Sequence, residues 1–154
     1  MFSHILLPTD GSECAAQGVD RGVALAGKLG AKVTILTVTE PLPVYAAVDG
    51  MGWSASAVYA DYDQHQEAAA KAVLAAAKQK AEAAGVQAEA LHAPRAQPAE
   101  AIVETAKSRG CDLIVMASHG RRGVRRLILG SQTSEVLTRS PAPVLVVPME
   151  TAGD

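Results

Sequence analysis

Aromatic side chains are scarce in this chain, at 3% of 154 residues, with one Trp, one Phe and three Tyr. The core must therefore be built mostly from Ala, Val, Leu and Ile. Cysteine is equally sparse: Cys14 and Cys111 are far apart, form no CxxC, and have no metal-ligand spacing to His4, His65, His92 or His119. A disulfide framework and a cysteine-ligated metal are thereby excluded, and both thiols read as small buried or half-buried groups. Cys14, near a helix start, is the one placed for redox sensing.

Surplus positive charge is also missing. A net charge of −2 and a pI near 6.1 argue against a general nucleic-acid or anionic-membrane binder, which needs uncompensated Lys and Arg. Nowhere do about 18 apolar residues follow one another, and the opening MFSHILLP has no basic region, so the chain reads as cytoplasmic and untargeted. The common nucleotide signatures are absent too. There is no GxxxxGK[ST], and the GxG at Gly50-Met51-Gly52 lacks its third glycine.

What remains is an ordinary globular balance, 49% apolar and 19% charged. A chain of this length buries roughly 70% of its unfolded surface as one domain. His4-Ile5-Leu6-Leu7 reads as a buried strand stopped at Pro8, followed by the turn Thr9-Asp10-Gly11. Ser12 is an N-cap for a helix with Ala16, Val19, Val23 and Ala26 on one face, closed by Gly30. Residues 33–38 are rich in β-branched side chains and nearly continuous in apolar character, as in a strand covered on both faces.

Residues 40–62, with Pro41, Pro43, Tyr45, Gly50, Gly52, Trp53, Tyr59 and Tyr62, show no period and read as a long loop or lid. An Ala-rich helix is expected over 63–84, a strand near a sheet edge over 86–92, and a helix from Pro98 to Gly110. A strand over 112–116, a helix over 131–139 and a strand over 143–148 complete the chain. Strands alternating with helices call for right-handed crossovers and a parallel sheet with helices on both faces. Ligands of such sheets bind beyond the carboxyl ends of the strands, where the winding reverses.

Two segments lie at such ends. One is Pro8-Thr9-Asp10. The other is the stretch 117–133, ASHGRRGVRRLILGSQT, which joins the strand Leu113-Ile114-Val115-Met116 to the last helix. Its Gly120, Gly123 and Gly130 permit tight turns and close approach of a ligand. Ser131 and Thr133 place hydroxyls beside the free N–H groups of a new helix, an anion site. Arg121, Arg122, Arg125 and Arg126 add four charges nearby, for a triphosphate or for solvent. His119 is positioned to hydrogen-bond a phosphate or to order the loop.

The spacing Ala117-x-x-Gly120, nine residues, Gly130-Ser131, with the PTDGS turn and the SPAPVLVVP tail, resembles the universal stress protein family of the adenine-nucleotide-binding type across essentially the whole chain. The resemblance implies a Rossmann-like α/β domain over residues 1–148 with a short tail over 149–154. Its sheet would be doubly wound, five-stranded and parallel, in the order 3-2-1-4-5, and would dimerise through its last strand. It implies binding of ATP or AMP, with any Mg carried by the nucleotide. Asp10 would meet ribose or a metal-phosphate group, and the Val38 backbone would meet adenine. Gly120, Gly130, Ser131 and Thr133 would hold phosphates, with Pro8, Thr9, Met116, Ala117, Ser118, His119, Arg121 and Gln132 lining the same site. Ala117 stands where the family has a glycine, and its methyl is tolerated if φ there is negative.

These features suggest a cytoplasmic, dimeric, nucleotide-responsive binding module rather than an enzyme. Two alternatives share the fold: a structural dimer or adaptor that binds no nucleotide, and an adenylylating or ATP-hydrolysing enzyme. The apolar run Val144-Leu145-Val146-Val147 invites pairing with a second copy.

Overall fold

A computed structural model of the chain describes residues 1–43, 55–119 and 129–149. Nine elements follow one another: β1 (His4–Pro8), α1 (Glu13–Leu29), β2 (Lys32–Val38), α2 (Ala55–Ala83), β3 (Ala88–Ala93), α3 (Pro98–Arg109), β4 (Leu113–Ala117), α4 (Ser131–Arg139) and β5 (Val144–Val147). The five strands form one parallel sheet in the order β3-β2-β1-β4-β5. The chain winds outward from β1 to β3, then returns to place β4 on the other side of β1. The β1–β4 junction is thus the point of reversal.

The unbroken apolar strands are explained by two cores. Ile5, Leu7, Val33, Ile35, Leu113 and Val115 face α1 and α2 and pack on Val19, Val23, Ala26, Leu74, Ala77 and Ala81. The alternate residues Leu6, Leu36, Ile114 and Met116 face α3 and α4 and pack on Ala99, Ile102, Ala106 and Val136. With helices on both faces, both strand parities are mostly apolar, and the buried exceptions His4, Thr34 and Thr37 are hydrogen-bonded. No described helix is long and apolar enough to cross a membrane.

The ends of α1 follow the expected chemistry. Ser12 accepts the Ala15 N–H at 3.2 Å, and Gly30 closes the helix in the left-handed region at φ 66°. Several boundaries differ from the sequence reading by a residue or more. Helix α2 begins at Ala55, inside the stretch read as a loop. Its apolar stripe starts only at Ala70, where it meets the sheet, so the preceding turns carry no amphipathic period. Strand β3 starts at Ala88, because the Val86 N–H turns back to the Ala81 carbonyl at 2.9 Å. Strand β4 runs from Leu113 to Ala117, one residue later than expected. Asp112 is instead occupied below it, accepting the N–H groups of Ser3 and His4 and the Ser3 hydroxyl.

Candidate functional site

The turn after β1 is held from several sides. Pro8 is the last strand residue. The Thr9 N–H donates to the Leu36 carbonyl at 2.8 Å, the Thr9 carbonyl accepts the Thr37 hydroxyl at 2.9 Å, and the Thr9 hydroxyl accepts the Gly11 N–H at 3.2 Å. Asp10 accepts the Ser12 N–H through Oδ1 at 2.9 Å, an Asx turn that leads directly into α1. Gly11 is required twice over: φ is +78°, and a Cβ there would lie 2.6 Å from Val73 Cγ2. The Asp10 carboxylate is therefore fixed at the carboxyl edge of the sheet beside the reversal point.

Val38 lies on the neighbouring strand, and ladder parity decides where its peptide faces. The N–H groups of Val33 and Thr39 donate to the β3 side, to Gln87 and Ala93, whereas the Leu36 carbonyl serves Thr9 on the β1 side. Alternate residues of a parallel strand address opposite neighbours. The Val38 peptide therefore faces the β1 side. The β1–β2 register ends at Pro8 with Leu36, two residues earlier. The Val38 peptide thus lies at the carboxyl edge of the sheet, beyond the pairing that ends at Pro8 and beside Thr9.

Beyond β4 the chain is pinned to the start of α4. The Ser118 N–H donates to the Val147 carbonyl, and the Ser118 carbonyl accepts the Gly130 N–H, both at 2.9 Å. Gly130 caps α4 with φ −58° and ψ 151°, angles open to any residue. Its requirement is space, since a Cβ would sit 3.1 Å from the Ser118 carbonyl oxygen. Among the described residues no side chain caps α4, and its first N–H groups begin at the exposed Ser131, an arrangement suited to an anion.

Several expected site side chains are committed elsewhere. The Thr133 hydroxyl is buried and donates to the Ala117 and Ser118 carbonyls at 3.2 and 3.3 Å. Gln132 Oε1 accepts the Ala99 N–H at 3.0 Å and so caps α3. The Met116 side chain belongs to the α3–α4 core. The Ser118 hydroxyl is 3.0 Å from His119 Nδ1, while His119 Nε2 is buried with no hydrogen-bond partner among the described residues.

Ala117 is resolved by its neighbours. Among the described non-glycine residues only Arg95 has positive φ, so Ala117 is unstrained. It shares strand parity with Leu113 and Val115, facing α1, and a Cβ built on Gly18 would lie 3.5 Å from its methyl and 3.0 Å from its backbone N. Gly18 makes room for this end of β4, a role the sequence reading missed. The signal was present, because glycine inside an otherwise good helix marks close approach.

Gly120, Arg121, Arg122, Gly123, Arg125, Arg126, Tyr45 and Trp53 lie outside the described residues. The other histidines are structural or on the surface. His4 Nε2 bonds the Thr34 hydroxyl and His92 Nε2 the Thr39 hydroxyl, both at 2.8 Å, and His65 is exposed beside Asp61. Both cysteines are buried, and burial, aided by the Asp112 charge, pushes the Cys111 thiol up to about 11. Among the described residues no group of three or more His, Cys, Asp or Glu is arranged to hold a metal.

Comparison with known proteins agrees with this geometry. The model of the universal stress protein family matches residues 1–148. The universal stress protein YxiE of Bacillus subtilis is 33% identical over 148 residues, covering 96% of this chain and 99% of its own. The solved structure of MJ0577, a protein of Methanocaldococcus jannaschii, superposes with a TM-score of 0.83 at 28% identity, covering 99% of each chain. A universal stress protein solved in complex with cAMP superposes with a TM-score of 0.70 at 27% identity, covering 97% of this chain and 98% of that one. Sheet order, reversal point and near full-length similarity lead to one conclusion: the chain belongs to the universal stress protein family.

Proposed function

We propose that this chain binds ATP or AMP in the crevice at the β1–β4 reversal and acts as a dimeric, nucleotide-responsive module of the cytoplasm. The observation that carries this reading is the convergence of three recognition elements at one sheet edge. The Asp10 carboxylate is a partner for ribose hydroxyls, and the outward peptide of Val38 for an adenine edge. The start of α4 at Gly130-Ser131, capped by no side chain among the described residues and pressed against Ser118, is a partner for phosphate. The cAMP complex of a relative at 27% identity supports the ligand class. Gly120 and Arg121 belong to the same reading through their sequence spacing alone.

Magnesium enters this reading only as the counter-ion of a bound triphosphate, with Asp10 as the carboxylate on that side. Binding is favoured over catalysis because phosphoryl transfer requires a positioned base, metal ligands and charge clamps together. Here one oxygen of Asp10 is already engaged by the turn. Dimerisation through β5 follows from the same ladder logic. The Pro143 and Val147 carbonyls serve β4, so the peptides of Val144 and Val146 face outward. Leu145 and Leu137 are 45% and 43% exposed nearby.

The test is calorimetric titration of the purified chain with ATP and AMP, with chromatography of any nucleotide released by acid. Saturable binding of one nucleotide per chain, weakened by Asp10→Ala, is the expected result. Absence of binding and of released nucleotide would refute the reading in favour of an adaptor that binds none.

A further inference from the structure

We propose that the first turns of α2 are an arm latched to the carboxyl edge of the sheet by the Arg95–Asp63 ion pair, and that the closed arm favours binding at the adenine end of the nucleotide site. The second half rests on the adenine-nucleotide reading, whereas the latch stands without it. Helix α2 passes the Asp10 turn where Val73 closes on Gly11, and its first buried side chain is Ala70. Residues 55–69 therefore rise about 20 Å further along the helix axis, with no core side chain to hold them. Their hold is polar. The Tyr62 hydroxyl donates to the Glu40 carbonyl at 3.2 Å and accepts from Gln66 Nε2 at 2.8 Å. Arg95, in the turn between β3 and α3, donates from Nε to Asp63 Oδ2 at 2.9 Å, and its terminal guanidinium nitrogen bonds the same oxygen.

Arginine is an unusual residue for that turn. Pro94 and Arg95 are its central residues, and Arg95 has φ +51°, alone among the described non-glycine residues. Glycine or asparagine is the usual occupant of such a position, and other side chains held there store strain of the kind found at clamps and switches. The ion pair opposes that strain only weakly, since its side chains are 68% and 28% exposed. Parting the pair lets the turn relax, so closed and open arms lie close to balance. The latch also reaches the adenine edge. Thr39 donates its N–H to the Ala93 carbonyl and accepts the Ala96 N–H, both at 3.0 Å, and its hydroxyl meets His92 Nε2 at 2.8 Å. With Glu40 held by Tyr62, the closed arm fixes the two residues that follow Val38, and through them the Val38 peptide. A ligand that uses this peptide binds the closed arm better, which is the condition for shifting the balance. Arg95, Asp63 and Tyr62 are thus positioning residues.

Amide hydrogen exchange and calorimetry on the full chain test this. In the ligand-free protein, raising NaCl from about 0.05 to about 1 M should speed exchange over residues 59–69 about two- to fivefold, the scale of one exposed pair, and leave residues 70–83 unchanged. Asp63→Asn should have the same effect at low salt and abolish the salt dependence, and exchanging the charges, Asp63→Arg with Arg95→Asp, should restore both. Exchange over 59–69 that responds neither to salt nor to Asp63→Asn overturns the latch. Saturation with AMP should slow exchange over the same residues. A latch weakened about fivefold lowers the closed fraction from about one half to about one sixth, so Asp63→Asn should weaken ATP, AMP and adenosine alike, by about threefold. Charge alone predicts the reverse, since removing a carboxylate favours the anions and leaves adenosine unaffected. Tighter ATP with unchanged adenosine, or no change in any of the three, overturns the coupling while the nucleotide reading stands. If the unaltered chain binds no adenine nucleotide, the coupling falls with that reading and the salt series still decides the latch. Should a variant fail to fold, the salt series and the AMP protection of the unaltered protein decide.

Discussion

Replacing Ala117 by glycine restores the residue usual in the family and tests where its methyl lies. Ala117 is 6% exposed and closes β4 against Gly18. Deleting one buried methyl costs about 0.8 kcal/mol. Placing glycine in a strand adds roughly 0.5–1 kcal/mol of chain entropy. The variant should therefore be less stable by about 1.5 kcal/mol, close to a tenfold change in the folded-to-unfolded ratio. Because φ at Ala117 is already negative, glycine relieves no strain. Because the methyl faces α1, its removal opens no room for the ligand, and ATP affinity should stay within about threefold. Denaturant unfolding gives the first quantity and calorimetry the second. A tenfold gain in affinity with no loss of stability would refute the reasoning and place the methyl against the nucleotide.

Three further outcomes are expected. Gly130→Ala is permitted by backbone angles but crowds the Ser118 carbonyl oxygen at 3.1 Å. It should cost about 1–2 kcal/mol by thermal unfolding and weaken ATP about tenfold or more in calorimetry; unchanged values would refute the close approach. Stability should decline as pH falls from neutrality toward the carboxylate range, for two reasons of the same sign. Burial, with the Lys32 charge, lowers the His4 pKa, so the unfolded chain takes that proton first and stability is lost below about 6.5. Burial works to raise Asp112, but the N–H of His4 and the Ser3 hydroxyl and N–H outweigh it and hold the carboxyl below its usual range. Its contribution is present above the unfolded value and lost as pH falls through the folded one. Asp112→Asn should flatten the acid limb of a denaturation series, and an unaltered limb would refute the assignment. Leu145→Asp should yield a monomer by light scattering, whereas a persisting dimer mass would exclude the β5 edge. Leu145 is chosen because Val146 shares its parity with the half-buried Val144, which packs on the α3–α4 core.

Fold class and strand order were legible because a doubly covered sheet leaves its mark on every strand, and because Ser12, Gly30 and Gly110 punctuate the helices where the structure ends them. The first turns of α2 were not legible, since turns that bury no side chain in the core show no apolar period. The placement of Asp10, Gly130 and Ser131 at the carboxyl edge of the sheet was legible. The side chains of Gln132 and Thr133 were not, because a hydroxyl or amide beside a helix start serves a phosphate and a neighbouring carbonyl or N–H equally well.

What the amino-acid sequence determined by itself was therefore local and periodic: alternating strand and helix, glycine and serine at the turns, and a family pattern with one glycine replaced by Ala117. These follow from steric and hydrogen-bonding preferences within a few residues. Only the tertiary structure decided which groups face one another across distant segments. It set Gly18 against Ala117, Gln132 on the start of α3, the Val38 peptide above the end of β1, and the His119 ring beside Gly130. Those pairings depend on the order in which strands are laid into the sheet and on the distance at which α1 and α4 pack on it. Such contacts leave no periodic trace in the sequence.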